Sequence, residues 1–567
     1  MRERTPRARR APRLLPALVL SVALTALTVL PAPPALPLRP DRARAADRPT
    51  GDRAAGVALA ARRAAARGLS FGPCPEVERL PDPVRCALLS VPRDYAEPDG
   101  PRLELTVSRV PASGPRGSRQ GALLFNPGGP GGSGMWFPLL AESAAWTSLA
   151  AAYDFVGWAP RGVGRSAPLS CRDPLAPPPE PPEADPGLPP TPAETTRRRA
   201  LATDYARGCA ARSGALLPHV TTANNARDLE VLRAALGEPG LNLLGASYGT
   251  LLGAVYARMF PDRVRRMVFD SVVDPDPAGL WYGANLAQSR AFEGRVRDLW
   301  AWTARHHDVY GLGRTPRAVA ARWERIRAEL ARRPARGPEG VVGPGRARSW
   351  LLRAAYEDEE WPDRAAALAA WARGDRGPLL ASAAPDPAWA AEDENATAVY
   401  TAVLCNDAPW PTDWARWERD LRETAREAPF ETWANGWLNA PCATWPVSGR
   451  EALPEVGDPG GRLPATLLVA AERDGATPYA GALSLRRRLG GRAALVTERE
   501  AGAHGVVGGR NACVDGHVAR YLLTGRTPGD GPGASVVCAP HPEPAPVSLD
   551  DTAAPGPRRG SAPWRVL

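Results

Sequence analysis

The chain has 567 residues, is 44% hydrophobic, and owes every basic charge in its formal net +10 to arginine, because it contains no lysine. That length and apolar share exclude a disordered or fibrous protein. Nine arginines (Arg2, Arg4, Arg7, Arg9, Arg10, Arg13, Arg39, Arg42 and Arg44) against two acids lie in the first 45 residues, so the remainder carries only about +3 and nucleic-acid binding is excluded.

Residues 1–45 have the layout of a signal peptide: an arginine-rich start, an apolar run from Leu14 to Leu30, a proline-rich stretch, and Ala43-Arg44-Ala45 as a small-x-small cleavage site. A membrane anchor is the weaker reading, since 17 residues interrupted by Pro16 are short for a span and the cleavage site implies removal. Arg9-Arg10 leaves open whether export is general or twin-arginine. Eight cysteines without any CxxC spacing in an exported chain read as disulfides before metal ligands. Of the 105 possible connectivities, the nearest-neighbour set is preferred: Cys74 with Cys86, Cys171 with Cys209, Cys405 with Cys442, and Cys513 with Cys538.

Residues 46–275 form the first part of an α/β core, in which short apolar runs alternate with helical stretches. Leu103 to Val110, Ala122 to Phe125 and Phe155 to Trp158 are predicted strands. The proline-rich stretch from Asp173 to Pro192 is a surface loop. Thr222 to Leu236 is a predicted helix stopped by Gly237, followed by a strand from Leu241 to Leu244, a helix from Tyr248 to Phe260 and a strand from Val264 to Val273. Residues 276–460 are helical and hold 14 of the 18 tryptophans, which are expected to be the core of that segment. The strand rhythm resumes over 461–540 with Ala465 to Ala471 and Ala493 to Thr497, and a proline-rich tail covers 541–567. The whole is an α/β architecture with a mostly parallel central sheet interrupted by a large helical cap.

Gly245-Ala246-Ser247-Tyr248-Gly249 follows a buried strand and opens a helix, the context of a nucleophile elbow; its glycines permit a turn tight enough to lift the serine hydroxyl above the sheet. Acyl transfer through serine needs donors for the developing oxyanion. Asn126-Pro127-Gly128-Gly129-Pro130-Gly131-Gly132-Ser133-Gly134 lies directly after the Ala122 strand and supplies them, with the N–H groups of Gly129 and Tyr248 as candidate oxyanion donors. No Lys-Ser/Thr pair follows, which excludes a phosphate-binding loop. Among the histidines after Ser247, His504 in Gly502-Ala503-His504-Gly505 is the candidate base. His306 and His307 fall in the helical segment, His517 in the last helix and His541 in the tail. Asp474, in a turn with Gly475 and Pro478 after a strand, is the candidate acid, and Asp270 is its rival. No cofactor or metal is required.

Together with Tyr153-Asp154-Phe155-Val156-Gly157-Trp158-Ala159-Pro160-Arg161-Gly162-Val163-Gly164-Arg165-Ser166 and Phe260-Pro261-Asp262-Arg263-Val264, these motifs resemble the secreted actinobacterial tripeptidyl aminopeptidases of the prolyl-aminopeptidase-like branch of serine α/β-hydrolases, over about residues 70–540. The resemblance implies a secreted exopeptidase that removes short peptides, commonly tripeptides, from free N-termini of peptides or proteins, with the cap restricting access; a monomer is expected. Ala159 departs from the family, which usually carries Asp there. An aminopeptidase should offer a carboxylate to the substrate ammonium. The cap candidates are Asp407, and Glu359 and Glu360 within Glu357-Asp358-Glu359-Glu360, against the plainer reading of that run as a solvated helix face. A secreted carboxylesterase with the same triad is the alternative. A catalytically dead binding protein on this fold would have lost one of Ser247, Asp474 and His504.

Overall fold

The computed structural model describes residues 52–176, 180–448, 451–458, 460–529 and 533–547; the leader expected over 1–45 and the tail beyond 547 lie outside them. The strands are β1 (Gly72–Pro73), β2 (Arg85–Pro92), β3 (Arg102–Val110), β4 (Ala122–Asn126), β5 (Asp154–Trp158), β6 (Leu241–Ala246), β7 (Val264–Asp270), β8 (Ala335–Arg336), β9 (Val341–Val342), β10 (Thr466–Ala471), β11 (Ala493–Glu498) and β12 (Ser535–Cys538). All but the β8–β9 ribbon join one sheet in the order β1-β2-β3-β5-β4-β6-β7-β10-β11-β12. Pairing is antiparallel from β1 through β3 to β5 and parallel from β5 through β4 to β12.

The parallel strands β4, β5, β10 and β11 are buried at every position. Helices cover both faces of such strands, so they appear in sequence as unbroken apolar runs, and this is why the sequence located them. The edge strand β12 escaped notice because it is only four residues long. The helix Thr222–Ala235 starts at Thr221, whose hydroxyl accepts the Asn224 N–H, and the helix Tyr248–Met259 ends before Pro261. Two further helices, Arg53–Arg67 and Pro192–Ser213, are rich in alanine and arginine and bury mostly alanines, so no stripe of large apolar residues marks them in sequence.

Between β7 and β10 the chain is helical, including Tyr282–Arg305, Pro344–Tyr356, Trp361–Ala372, Ala390–Asp407 and Trp414–Glu427. Trp300, Trp302, Trp323, Trp350, Trp361 and Trp371 are buried together in an apolar cluster of this segment, whereas Trp410, Trp417 and Trp433 join the main core. Disulfides link Cys74 to Cys86, Cys171 to Cys209, Cys405 to Cys442 and Cys513 to Cys538, the nearest-neighbour set. Cys513, His517 and Cys538 come within metal-ligand distance of one another, but the disulfide consumes both thiols. No helix among the described residues is long and apolar enough to cross a membrane.

Arg161 is fully buried, and two charge-assisted bonds join its guanidinium to Asp228, at 2.7 Å from Nε and 2.6 Å from Nη2. It also donates to the backbone carbonyls of Pro92, Arg93 and His219, which ties three segments together beneath the sheet edge. Ala159, the departure from the family pattern, is buried, and its N–H donates to the Thr106 carbonyl of β3. Beyond β12, His541 bridges Asp358 of the cap (2.8 Å) and Glu498 of β11 (2.9 Å). These bonds raise its pKa to about 10, so the link is a charged one at neutral pH.

Candidate active site

Ser247 sits between the end of β6 and the helix Tyr248–Met259 with φ 55 and ψ −124, in the left-handed half of the backbone map that costs a non-glycine residue energy. The glycines around it make that turn possible by close approach. A Cβ on Gly245 would stand 2.4 Å from the Gly249 carbonyl oxygen, and one on Gly249 would stand 2.5 Å from that of Asn126. Gly128 brings the loop after β4 against the same turn: its φ is +101, and a Cβ there would lie 2.7 Å from Ser247 Cβ and 2.9 Å from the Tyr248 nitrogen. Asn126, buried at the end of β4, fixes the loop by accepting the Gly128 N–H at 3.1 Å. The loop of Gly129 and the N-terminus of the Tyr248 helix are thus packed on one another beside the serine.

Asp474 follows β10 and is fully buried in a turn that it organises itself. Its Oδ1 accepts the N–H groups of Ala476 (2.8 Å) and Thr477 (3.0 Å), and its Oδ2 accepts the Thr477 hydroxyl (2.8 Å). His504 Nδ1 approaches both oxygens, at 3.0 Å from Oδ2 and 3.1 Å from Oδ1. Burial acts to raise the Asp474 pKa, but the His504 imidazole and the Thr477 bonds outweigh it and hold the carboxyl below its ordinary value. Burial likewise acts to lower the His504 pKa, and Asp474 reverses this to leave it raised. Asp270, the rival acid, ends β7 and turns its carboxylate to the N–H groups of Val506 and Val507 rather than to the imidazole.

Two cavities flank these groups. One is lined by Ser247, Gly129, Asp274, Trp281, Tyr400 and Thr477 among others. The second, of about 150 Å³, is walled by Phe125, Trp136 and Trp146 and closed by His504, Glu357 and Arg510. No hydrogen bond joins the Ser247 hydroxyl to His504 among the described residues, and such contacts commonly tighten only with substrate bound.

None of the candidate amine-binding acids Asp407, Glu359 and Glu360 lines the Ser247 cavity. Asp407 is buried and engaged by Thr222, whose N–H donates at 2.9 Å and whose hydroxyl donates at 2.6 Å while also meeting the Tyr248 hydroxyl at 2.8 Å. Its bonds brace the cap against the helix Thr222–Ala235, and it lines neither cavity. Burial pushes its pKa up to about 7 against the Thr222 bonds. Glu360 is paired with Arg364 at 2.7 Å, and the Glu359 side chain is half exposed; neither lines the cavity beside His504. Glu357 of the same run does line it, in an ion pair with Arg510. Burial raises the Glu357 pKa to about 7 even with Arg510 beside it.

A mostly parallel sheet carrying a serine elbow after β6, a glycine loop after β4 and a histidine loop after β11 is the α/β-hydrolase fold. Residues 428–534 match the family described as TAP-like protein. The chain is 49% identical to a tripeptidyl aminopeptidase of Streptomyces lividans, in an alignment spanning 87% of this chain and 90% of that one. It is 31% identical to the serine protease Hip1 of Mycobacterium tuberculosis H37Rv over 82% of this chain and 90% of the relative, and 33% identical to carboxylesterase B of the same strain over 80% and 86%. The chain belongs to the tripeptidyl aminopeptidase family of α/β-hydrolases.

Proposed function

We propose that the protein is a secreted serine exopeptidase that releases short peptides, tripeptides foremost, from free N-termini. The observation that carries this reading is the Asp474–His504 hydrogen bond beside a serine held at φ 55 on a strand-to-helix turn, in a chain 49% identical to a tripeptidyl aminopeptidase. Ser247 Oγ adds to the scissile carbonyl carbon as its proton passes to His504 Nε2. Asp474 keeps the other imidazole proton on Nδ1 and stabilises the imidazolium. The N–H groups of Gly129 and Tyr248 receive the oxyanion. The imidazolium then protonates the departing amine as the C–N bond breaks, leaving an ester on Ser247, and water attacks that ester with His504 again as base. The expected leader and the four disulfides support an extracellular or cell-wall setting.

The substrate ammonium is assigned to Asp274. It lines the cavity that also contains Ser247, whereas Asp276 in that cavity is paired with Arg488 and Glu357 in the other is neutralised by Arg510. A carboxylesterase using the same three residues is the second reading, favoured by the likeness to carboxylesterase B. A comparison of a tripeptidyl p-nitroanilide with a p-nitrophenyl ester separates the two, because only the peptidase reading predicts preference for the anilide with a free amine. Ser247→Ala should lower kcat by about 10⁶ on either substrate; retention of a few per cent of activity would remove Ser247 from the mechanism.

A further inference from the structure

Asp270 stands where some hydrolases carry the triad acid, yet its contacts point to another task. Its backbone carbonyl accepts the N–H of Ser247 at 3.0 Å. Its carboxylate, 3% exposed, accepts the N–H of Val506 at 2.9 Å and of Val507 at 2.9 Å, two and three residues after His504. The next residue, Ser271, takes a φ of 57, and its hydroxyl accepts the Gly505 N–H at 2.8 Å. Three successive amides after His504 are therefore held by two residues at the end of β7. On the other side of the loop, the His504 N–H donates to the Tyr356 carbonyl of the cap at 2.8 Å.

We infer that Asp270 is a positioning residue that sets the nucleophile and the base in register, gripping Ser247 through its carbonyl and the His504 loop through its carboxylate. The inference rests on the serine-hydrolase reading above. β7 lies between β6, which leads to Ser247, and β10, which leads to Asp474, so one residue at its end reaches both halves of the site. Two buried amides that lost their acceptor would have to move toward other partners, and the imidazole would move with them. Both amides reach Oδ2 and the Val506 N–H also reaches Oδ1 at 3.1 Å, so an Asn that keeps its oxygen over both donors sets its NH2 against the Val506 N–H and gives up the charge that holds them.

Asp270→Asn in the full chain tests this with a tripeptidyl p-nitroanilide. Because a displacement near 1 Å at reacting groups costs up to about a hundredfold, kcat should fall by roughly 10- to 100-fold with KM within about threefold. The pH profile adds a readout that simple loss of stability would not move. Asp474, Glu357 and Asp270 are the acids that raise the His504 pKa, so removing the Asp270 charge should shift the acidic limb of kcat/KM to lower pH. If the variant does not fold, Ser271→Ala, which removes the Gly505 acceptor and the 3.4 Å hydroxyl donor to Asp270 Oδ1, should lower kcat by about 3- to 10-fold. Unchanged kcat and acidic limb in the folded variant, or in Ser271→Ala when that one is needed, overturn the inference. A loss near 10⁴, with Asp474→Asn mild, also overturns it by making Asp270 the triad acid. An inactive Ser247→Ala beside a fully active Asp270→Asn defeats this inference alone, whereas an active Ser247→Ala defeats the serine mechanism.

Discussion

Replacing Asp474 with Asn changes one atom of the site, and the surrounding donors decide which way the new amide faces. Oδ1 is held by two backbone N–H groups, from Ala476 and Thr477, that have no other way to turn. The amide oxygen of the variant must occupy that position, which puts its NH2 at the place of Oδ2, against Thr477 Oγ1 and His504 Nδ1. The hydroxyl adapts by rotating to accept. His504 Nδ1 lies 3.0 Å from Oδ2 and 3.1 Å from Oδ1, so it then meets an NH2 and an oxygen already accepting two backbone N–H groups; making Nδ1 an acceptor relieves this, moves its proton to Nε2 and points N–H rather than a lone pair at Ser247. A base in the wrong tautomer costs about 10⁴ in kcat in triads of this geometry, roughly 5 kcal/mol of barrier. Single-turnover and steady-state hydrolysis of a tripeptidyl p-nitroanilide, with circular dichroism to verify folding, measures it. A folded variant within tenfold of wild type would refute the assignment of Asp474 and the tautomer argument with it.

Asp274→Asn should lower kcat/KM for a free-amine tripeptide by about a hundredfold while leaving its N-acetylated counterpart unchanged, as expected for loss of a charge-assisted bond. Asp407→Asn should instead leave the discrimination between those two substrates intact and lower stability by about 1–3 kcal/mol, read from denaturant unfolding, because it weakens the Thr222 brace. The base acts only when neutral and its pKa is raised above the ordinary 6.5, so kcat/KM should fall as pH drops through a midpoint above 6.5; a midpoint below it contradicts the geometry. Reduction should destabilise the protein by about 2–4 kcal/mol per disulfide in chain-entropy terms, and non-reducing peptide mapping should recover the four nearest-neighbour pairs. A link between the 405–442 and 513–538 regions would contradict them.

The strands and the elbow were legible because their signal is local: a buried parallel strand appears as an apolar run, and the Ser247 turn requires glycines within two residues on each side. The choice of Asp474 over Asp270 was partly legible in the turn residues Gly475 and Pro478, but its physical reason lies in the backbone donors of Ala476 and Thr477. The contacts of Asp407 were not legible, because its partner, Thr222, is 185 residues away in sequence. Asp274 lies just before the cap in Asp274-Pro275-Asp276-Pro277, a stretch that in sequence looks like an ordinary turn. His541 was placed in a tail without a role, since its partners Asp358 and Glu498 come from the cap and from β11.

The proposed activity acts on peptides from a free N-terminus and through Ser247. The most direct measurement is mass spectrometry of the products from paired peptides of identical sequence, one with a free amine and one N-acetylated, incubated with wild type and with Ser247→Ala. N-terminal tripeptides are expected from the free peptide, at least about a hundredfold less product from the acetylated one, and none from the variant. Equal cleavage of both peptides, internal cuts, or undiminished release by Ser247→Ala would contradict it.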